Sequence, residues 1–253
     1  MKSKPLILGI TASLRNARWG GSNNLINSLK SIPTKELLLS YLAEESGHHL
    51  ENYLVAGRKE GKSFLEIYQN LKKNTGNRGL CNSEVALAAA LWSAYHECCT
   101  ADIDYLSLAE HFPAGGELRD REILHAKIVS ADGILVSGPV YFGDRSSLAQ
   151  SFLHYLSNEP DLLKHLKHKV YAGISVGAKR NGGQETTLIY QMMDFLRLNM
   201  YAVGNDSSTT AQYGGTCHAG DVGTMHKDTY GIETSMGTGR RLASVIPVSY
   251  THL

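Results

Sequence analysis

Residues 5–24 read PLILGITASLRNARWGGSNN, and the first half of this stretch sets the fold. Leu6 to Ile10 is a short apolar run bounded by Pro5 and Thr11, the composition of a buried strand. It ends in Thr11, Ala12, Ser13 and Arg15, which supply hydroxyls, little bulk and a fixed cation. Those groups suit an anion. In such sites the next element is a helix whose unpaired N–H groups complete the cradle. Here the chain instead becomes polar and helix-rich from Gly20 to Arg78, with no strand signal. Two helix starts therefore compete for the second half of the site. Ser22-Asn23-Asn24 follows the loop directly, and Asn82-Ser83 lies beyond the helical stretch.

Working outward, apolar and β-branched runs recur at Ile103–Leu108, Gly133–Ser137, Val170–Val176 and Met200–Val203. Helical spacing lies between them: Val85, Ala88, Leu91 and Tyr95; Ile123, Ala126 and Val129; Leu148, Phe152 and Leu156; Leu188, Met192 and Leu196. This alternation predicts an α/β fold, a parallel sheet with helices on both faces. Strands that are apolar throughout, such as VYAGISV, fit a sheet covered on both sides. Residues 32–77 break the rhythm and read as a helical insertion after the first strand. Its patterns cover about 34–46, 48–60 and 63–74, with glycines between them and a capping box at Ser63–Glu66. The helix that runs straight into the second strand begins near Ser83. That connection favours Asn82 and Ser83 over Ser22 to Asn24 as partners of the first loop.

The chain has 253 residues, net charge +1 and 42% hydrophobic residues, enough for one large core in a single domain over 1–247. So balanced a charge gives no global attraction to nucleic acid or acidic membranes. No apolar run reaches the roughly 20 residues that span a bilayer, so a cytoplasmic protein is expected. Cys81, Cys98, Cys99 and Cys217 form no C-x-x-C pair, which predicts free thiols and no metal centre. His48, His49, His165 and His168 read as solvated helix faces. Pro247 is expected to break the closing helix. Residues 248–253, VSYTHL, match the translation of a transposon-end adapter and are expected to be a non-native tail.

Ligands of open parallel sheets bind at the carboxyl ends of strands, so the loops there carry the function. The first loop lacks G-x-G-x-x-G and G-x-x-x-x-G-K-[ST], which argues against a dinucleotide or triphosphate site and leaves a phosphate monoester. The loop after the third strand, SGPVYFGDRSS, puts Tyr141 and Phe142 at a strand end where a ring ligand can stack. The loop after the fourth, SVGAKRNGGQETT, combines Gly177, Gly182 and Gly183 with Lys179 and Arg180. Glycines there open backbone N–H groups to a ligand.

Together, TASLR, GPVYFGDRSSLAQSFLHYL and GGQETT resemble the motifs of flavodoxin-like NAD(P)H-dependent FMN reductases and quinone reductases, over about 5–15 and 80–245. The resemblance is to the iron–sulfur-flavoprotein-like branch, without its cysteine cluster. It implies a three-layer sandwich around a five-stranded parallel sheet of order 2-1-3-4-5. It implies FMN as cofactor, NADH or NADPH as co-substrate, and a quinone, flavin or similar acceptor. Ser13, Arg15, Asn82 and Ser83 would hold the phosphate. Pro139, Val140, Tyr141, Phe142 and Gly143 would flank the ring and ribityl chain. Gly177, Asn181, Gly182 and Gly183 would meet the flavin edge. His218 is the candidate contact to the acceptor, with Asp221 beside it, in a wall built from Asn205 to Ile232. A homodimer or homotetramer is expected. An electron-transfer flavodoxin without substrate turnover is the alternative, and the near-neutral charge and basic fourth loop weigh against it.

Overall fold

The computed structural model describes residues 4–16, 22–73, 78–112, 118–206 and 212–249. Strands β1 (Leu6–Thr11), β2 (Asp102–Ser107), β3 (Gly133–Pro139), β4 (Val170–Gly177) and β5 (Tyr201–Val203) form a parallel sheet in the order β2-β1-β3-β4-β5. A sixth strand, β6 (Gly215–His218), also pairs with β4. β5 covers Val170 to Ala172, and β6 covers Ile174 to Gly177. The fifth position in the sheet is thus filled by two short strands in succession. The expected five-strand sheet gains β6 because the chain leaves after Val203 and returns at Gly215. GTCH carries no β-branched apolar pattern that would announce it.

Side chains alternate across the sheet. Val170, Ala172, Ile174 and Val176 pack on the layer of α4 (Asn82–His96) and α10 (Thr229–Ser249), while Tyr171 packs on the other. Leu8, Ile10, Ile134 and Val136 face the layer holding α6 (Arg121–Ser130) and α7 (Ser147–Asn158). α4 is buried from Ser83 through Ala94, so it is a core helix with no solvent face. Gly9 lets it sit close to the sheet, since a Cβ there would lie 2.6 Å from Leu91 Cδ1. On the opposite side Gly239 of α10 crosses the Ala90 carbonyl.

The insertion differs from its expected pattern. α1 (Ser22–Ser31) precedes it, and α2 (Lys35–Tyr53) runs unbroken through Gly47. Nothing lies near Gly47, so its glycine costs the helix only propensity. A π-helical turn (Leu54–Arg58) with Gly57 at φ 132° leads to α3 (Phe64–Lys73). The capping box forms as expected: Glu66 accepts from Ser63 N at 2.9 Å, and Ser63 Oγ accepts from Glu66 N at 3.4 Å. Pro247 does not stop α10, which continues to Ser249. Proline removes one donor, and Thr100 Oγ1 replaces it by donating to the Ala243 carbonyl at 3.2 Å. Residues 250–253 of the expected tail lie outside the described residues.

Candidate functional site

The first loop is pinned before it reaches any ligand. Ala12 N donates to Ser137 O at 2.8 Å, and Ser146 Oγ donates to Ala12 O at 2.7 Å. Ser146 also caps α7. Ser13 follows, buried, with its Oγ accepting from Arg15 N at 3.4 Å. Arg15 Nε and Thr11 Oγ1 are buried, and neither finds a hydrogen-bond partner among the described residues. A buried guanidinium donor without an acceptor is costly, so it marks a place where an acceptor belongs.

The start of α4 meets this loop. Glu45 of α2 is buried and sets the approach, accepting from Arg78 Nε at 2.7 Å and Gly79 N at 2.6 Å. The N-cap is Cys81, not Asn82 or Ser83. Its backbone N donates to Glu84 Oε2 at 2.9 Å, and Tyr105 Oη donates to Glu84 Oε1 at 2.5 Å. Asn82 and Ser83 are therefore the first helical residues. Their amide N–H groups have no intrahelical acceptor, as at any helix start. The Asn82 side chain is already engaged: Nδ2 donates to Asp221 O at 2.9 Å, and Oδ1 accepts from Thr224 N and Met225 N at 3.2 Å. What Asn82 offers a ligand is its backbone.

Ser13, Arg15, Asn82, Ser83, Pro139, Val140 and Tyr141 share one cavity of about 120 Å3, with Cys81, His49, Val176, Ala178, Ala219 and Val222 completing its wall. Seven expected cofactor residues from three separate segments thus converge. The competing start at Ser22-Asn23-Asn24 follows residues 17–21, which lie outside the described residues with the Ser22 and Asn23 side chains.

The third and fourth loops touch. Tyr141 and Asp144 exchange backbone hydrogen bonds at 2.8 and 3.0 Å, which turns Phe142 outward at φ 53°, fully exposed. A Cβ on Gly183 would lie 2.6 Å from Gly143 Cα, so only glycine permits the two loops to meet there. Gln184 organises the fourth loop. Its Nε2 donates to Lys179 O at 2.7 Å and Cys217 O at 3.2 Å, and its Oε1 accepts from Gly182 N at 2.8 Å. The Gly182 amide is thereby spent, and the Gln184 side chain fills the space beside Gly177. Neither residue lines the cavity, nor do Phe142 and Gly143.

Asn181, Gly183 and His218 line a second depression, a cleft of about 440 Å3. An adjoining one of about 510 Å3 shares Arg180, His218, Asp228 and Tyr230 and adds Lys227 and Asp221. Asp228 fixes the local backbone, accepting from His218 N at 2.7 Å and Gly231 N at 3.0 Å. Segment 217–224 forms a wall of both cavity and cleft. Asp221 borders the adjoining depression already paired: Arg58 binds it through two contacts, at 2.7 and 3.0 Å, and holds its carboxyl below the usual range.

The insertion contributes residues that local sequence pattern does not announce. His49 is buried and lines the cavity, rather than lying on a solvated face. The Arg15 guanidinium carbon sits 5.3 Å from the Tyr53 ring centroid and 5.8 Å from that of Phe64. Gln184 was visible within GGQETT. His49, Tyr53 and Arg58 had no comparable signal, because their partners are remote in sequence.

The cysteines differ sharply in exposure. Burial, with Glu84 beside it, pushes the Cys81 thiol far up, and burial pushes Cys217 up to about 12. Cys99 is exposed and Cys98 half-buried. Alkylation of the native protein at neutral pH is expected at Cys99 first and Cys98 more slowly, sparing Cys81 and Cys217 until denaturant is added. Peptide mass spectrometry after timed quenching checks this. Native labelling of Cys81 as fast as Cys99 would mean that the start of α4 is open to solvent.

Residues 79–214 match the family described as NADPH-dependent FMN reductase. The match begins at Gly79, on the approach to α4, where the insertion ends. An iron–sulfur flavoprotein of Methanocaldococcus jannaschii is 38% identical over 120 residues, 47% of this chain and 61% of that protein. An iron–sulfur flavoprotein of Methanosarcina thermophila is 31% identical over 182 residues, 65% of this chain and 88% of that protein. Among solved structures, a flavone reductase superposes with TM-score 0.51 at 15% identity, over 96% of this chain and 63% of that one, a likeness of fold. Matched over residues 79–214, with a 31% identical relative aligned over 88% of its own length, the chain belongs to the NADPH-dependent FMN reductase family.

Proposed function

We propose that this chain is an FMN-dependent oxidoreductase that takes electrons from NADH or NADPH and passes them to a quinone, flavin or similar small acceptor. One observation carries the reading. Arg15, whose Nε has no partner among the described residues, Ser13, and the helix-start residues Asn82 and Ser83 converge on one cavity, a donor set that suits a phosphate monoester. FMN, when bound, supplies the electron-transfer chemistry. The chain's part is to hold and orient it. Arg15 and the two amides take the phosphate, and Ser13 adds a hydroxyl. Tyr141 offers an aromatic face from the cavity wall, and the neighbouring Phe142 is turned outward to solvent. Gln184 holds the fourth loop so that Asn181 and Gly183 border the cleft. His218 lines that cleft, where its imidazole would bind an acceptor.

An iron–sulfur centre does not fit these residues. The fifteen residues of α4 separate Cys81 from Cys98 and Cys99, which puts them about 25 Å apart, and Cys217 is buried singly on β6. Among the described residues no helix is long and apolar enough to cross a membrane. A cytoplasmic homodimer or homotetramer is part of the proposal. Tyr190, Met193 and Leu196 on α9 (Gln184–Arg197) are 45–57% exposed and would support such packing.

The test is to purify the protein, record its visible flavin spectrum, and measure oxidation of NADH and NADPH with a quinone present. Yellow protein that oxidises either nucleotide is expected. Bound FMN with no nucleotide oxidation would instead favour the electron-transfer flavodoxin. Colourless protein that takes up no added FMN would end both readings. For His218→Ala, unchanged FMN affinity with a several-fold higher KM for the acceptor is expected from steady-state kinetics. An unaltered KM and kcat would remove His218 from the acceptor site.

A further inference from the structure

Besides the residues that would hold the phosphate, the cavity is lined by His49 of the helical insertion. We propose that this insertion makes the flavin a captive prosthetic group: it straps the phosphate end of the site, with Arg58 and Asp221 as its latch, so the acceptor must come to the flavin. This rests on the FMN reading and narrows it, because a strapped flavin is not released as product.

The strap touches three of the segments around the cavity. On the first loop it holds Arg15 between Tyr53 and Phe64. At the approach to α4, Glu45 binds Gly79 N at 2.6 Å, and Asn52 Nδ2 donates to Arg78 O at 2.9 Å. On segment 219–223, Tyr53, Ala56, Ile67 and Leu71 enclose Val222 in one apolar cluster. The backbones meet there too, since a Cβ on Gly223 would lie 2.7 Å from Ser46 O. Arg58 closes the ring with its two contacts to Asp221 and lies 5.6 Å from the centroid of Tyr53. Segment 219–223 is itself tied to α4 through Asn82. The cavity of about 120 Å3 is well below the roughly 300–1,000 Å3 of an open ligand pocket. It has room for the phosphate end of a flavin only.

The latch is the weak point of the strap. Its side chains are 41% and 54% exposed, so solvent screens the pair and it opens readily. The rest of the strap is held by apolar burial and by buried Glu45. Opening therefore has an outlet at Arg58 without unfolding the insertion.

The experiment uses FMN-loaded protein. FMN release is followed by the return of flavin fluorescence after dilution, in wild type, Arg58→Ala and Asp221→Asn. Release about 5- to 10-fold faster is expected in Arg58→Ala, which loses both the ion pair and the contact to Tyr53. A smaller acceleration is expected in Asp221→Asn, with unchanged melting temperatures. During turnover with NADPH and a quinone, wild-type flavin should stay in the protein fraction on a desalting column. Release at the wild-type rate in both folded variants overturns the proposal, as does wild-type flavin leaving during turnover. Failure of wild type to bind FMN at all overturns the underlying reading instead.

Discussion

Replacing Arg15 with alanine is expected to weaken FMN binding by about 10- to 100-fold and to leave riboflavin binding unchanged. A charge-assisted hydrogen bond contributes roughly 1.5–3 kcal/mol, which is that range in Kd. Arg15 fits the role because its Nε is buried with no acceptor among the described residues, while its cationic plane is held by Tyr53 and Phe64. The side chain is thus held in place before any anion arrives, and little entropy remains to be lost on binding. Riboflavin carries the same ring and ribityl chain without the phosphate, so it isolates the contact. Lysine at this position should recover only part of the loss, because a point charge cannot match a planar fork on a phosphate. Fluorescence titration of both flavins against both variants checks this. Equal weakening of FMN and riboflavin would mean that Arg15 supports the fold of the loop and does not meet the phosphate.

The strand ends were legible because each chemical signal there is local. Ser13 and Arg15 follow an apolar strand, Tyr141 and Phe142 follow another, and the topology brings their loops together. The helix opposite the first loop was legible from connection alone, since α4 is the helix that enters β2. What stayed hidden depends on partners far away in sequence. Arg58 and Asp221 are 163 residues apart, and Glu45 and Gly79 are 34 apart. Neither pair leaves a periodic trace. The start of α4 lines the cavity together with the first loop, but nothing in CNSE indicates that residues 221–225 occupy the Asn82 side chain. Cys81 is an unusual cap, and a helix that starts one residue earlier leaves the asparagine and serine inside its first turn. β6 was missed because Gly215 and His218 give a strand no apolar face of their own. The neighbouring β4 supplies the reason for it to be there.

Gly239→Ala is expected to lower the melting temperature by about 5–10 °C and to weaken FMN binding with it. A methyl at this position would lie 2.0 Å from the Ala90 carbonyl oxygen and 2.7 Å from its carbon, so backbone, not a flexible side chain, must move. Overpacking of this kind costs roughly 1–3 kcal/mol or more, and each kcal/mol shifts a domain of this size by about 2–4 °C. α4 has little room to yield. Its far side rests on the sheet through Leu91, which already fills the space over Gly9. A helix held on both sides can shift mainly along its length, and its N-terminal residues Asn82 and Ser83 line the same cavity as Ser13 and Arg15. Loss of stability and loss of phosphate affinity should therefore appear together. Gly47→Ala is the control. It adds the same methyl in the middle of α2 where nothing lies near, so it should raise stability by about 0.5–1 kcal/mol and leave FMN affinity alone. Thermal melts and FMN titrations of the two variants test the coupling. A Gly239→Ala protein that melts with wild type would mean that α10 does not cross α4 this closely. One that melts early yet binds FMN normally would mean that the α4 amides do not carry the phosphate.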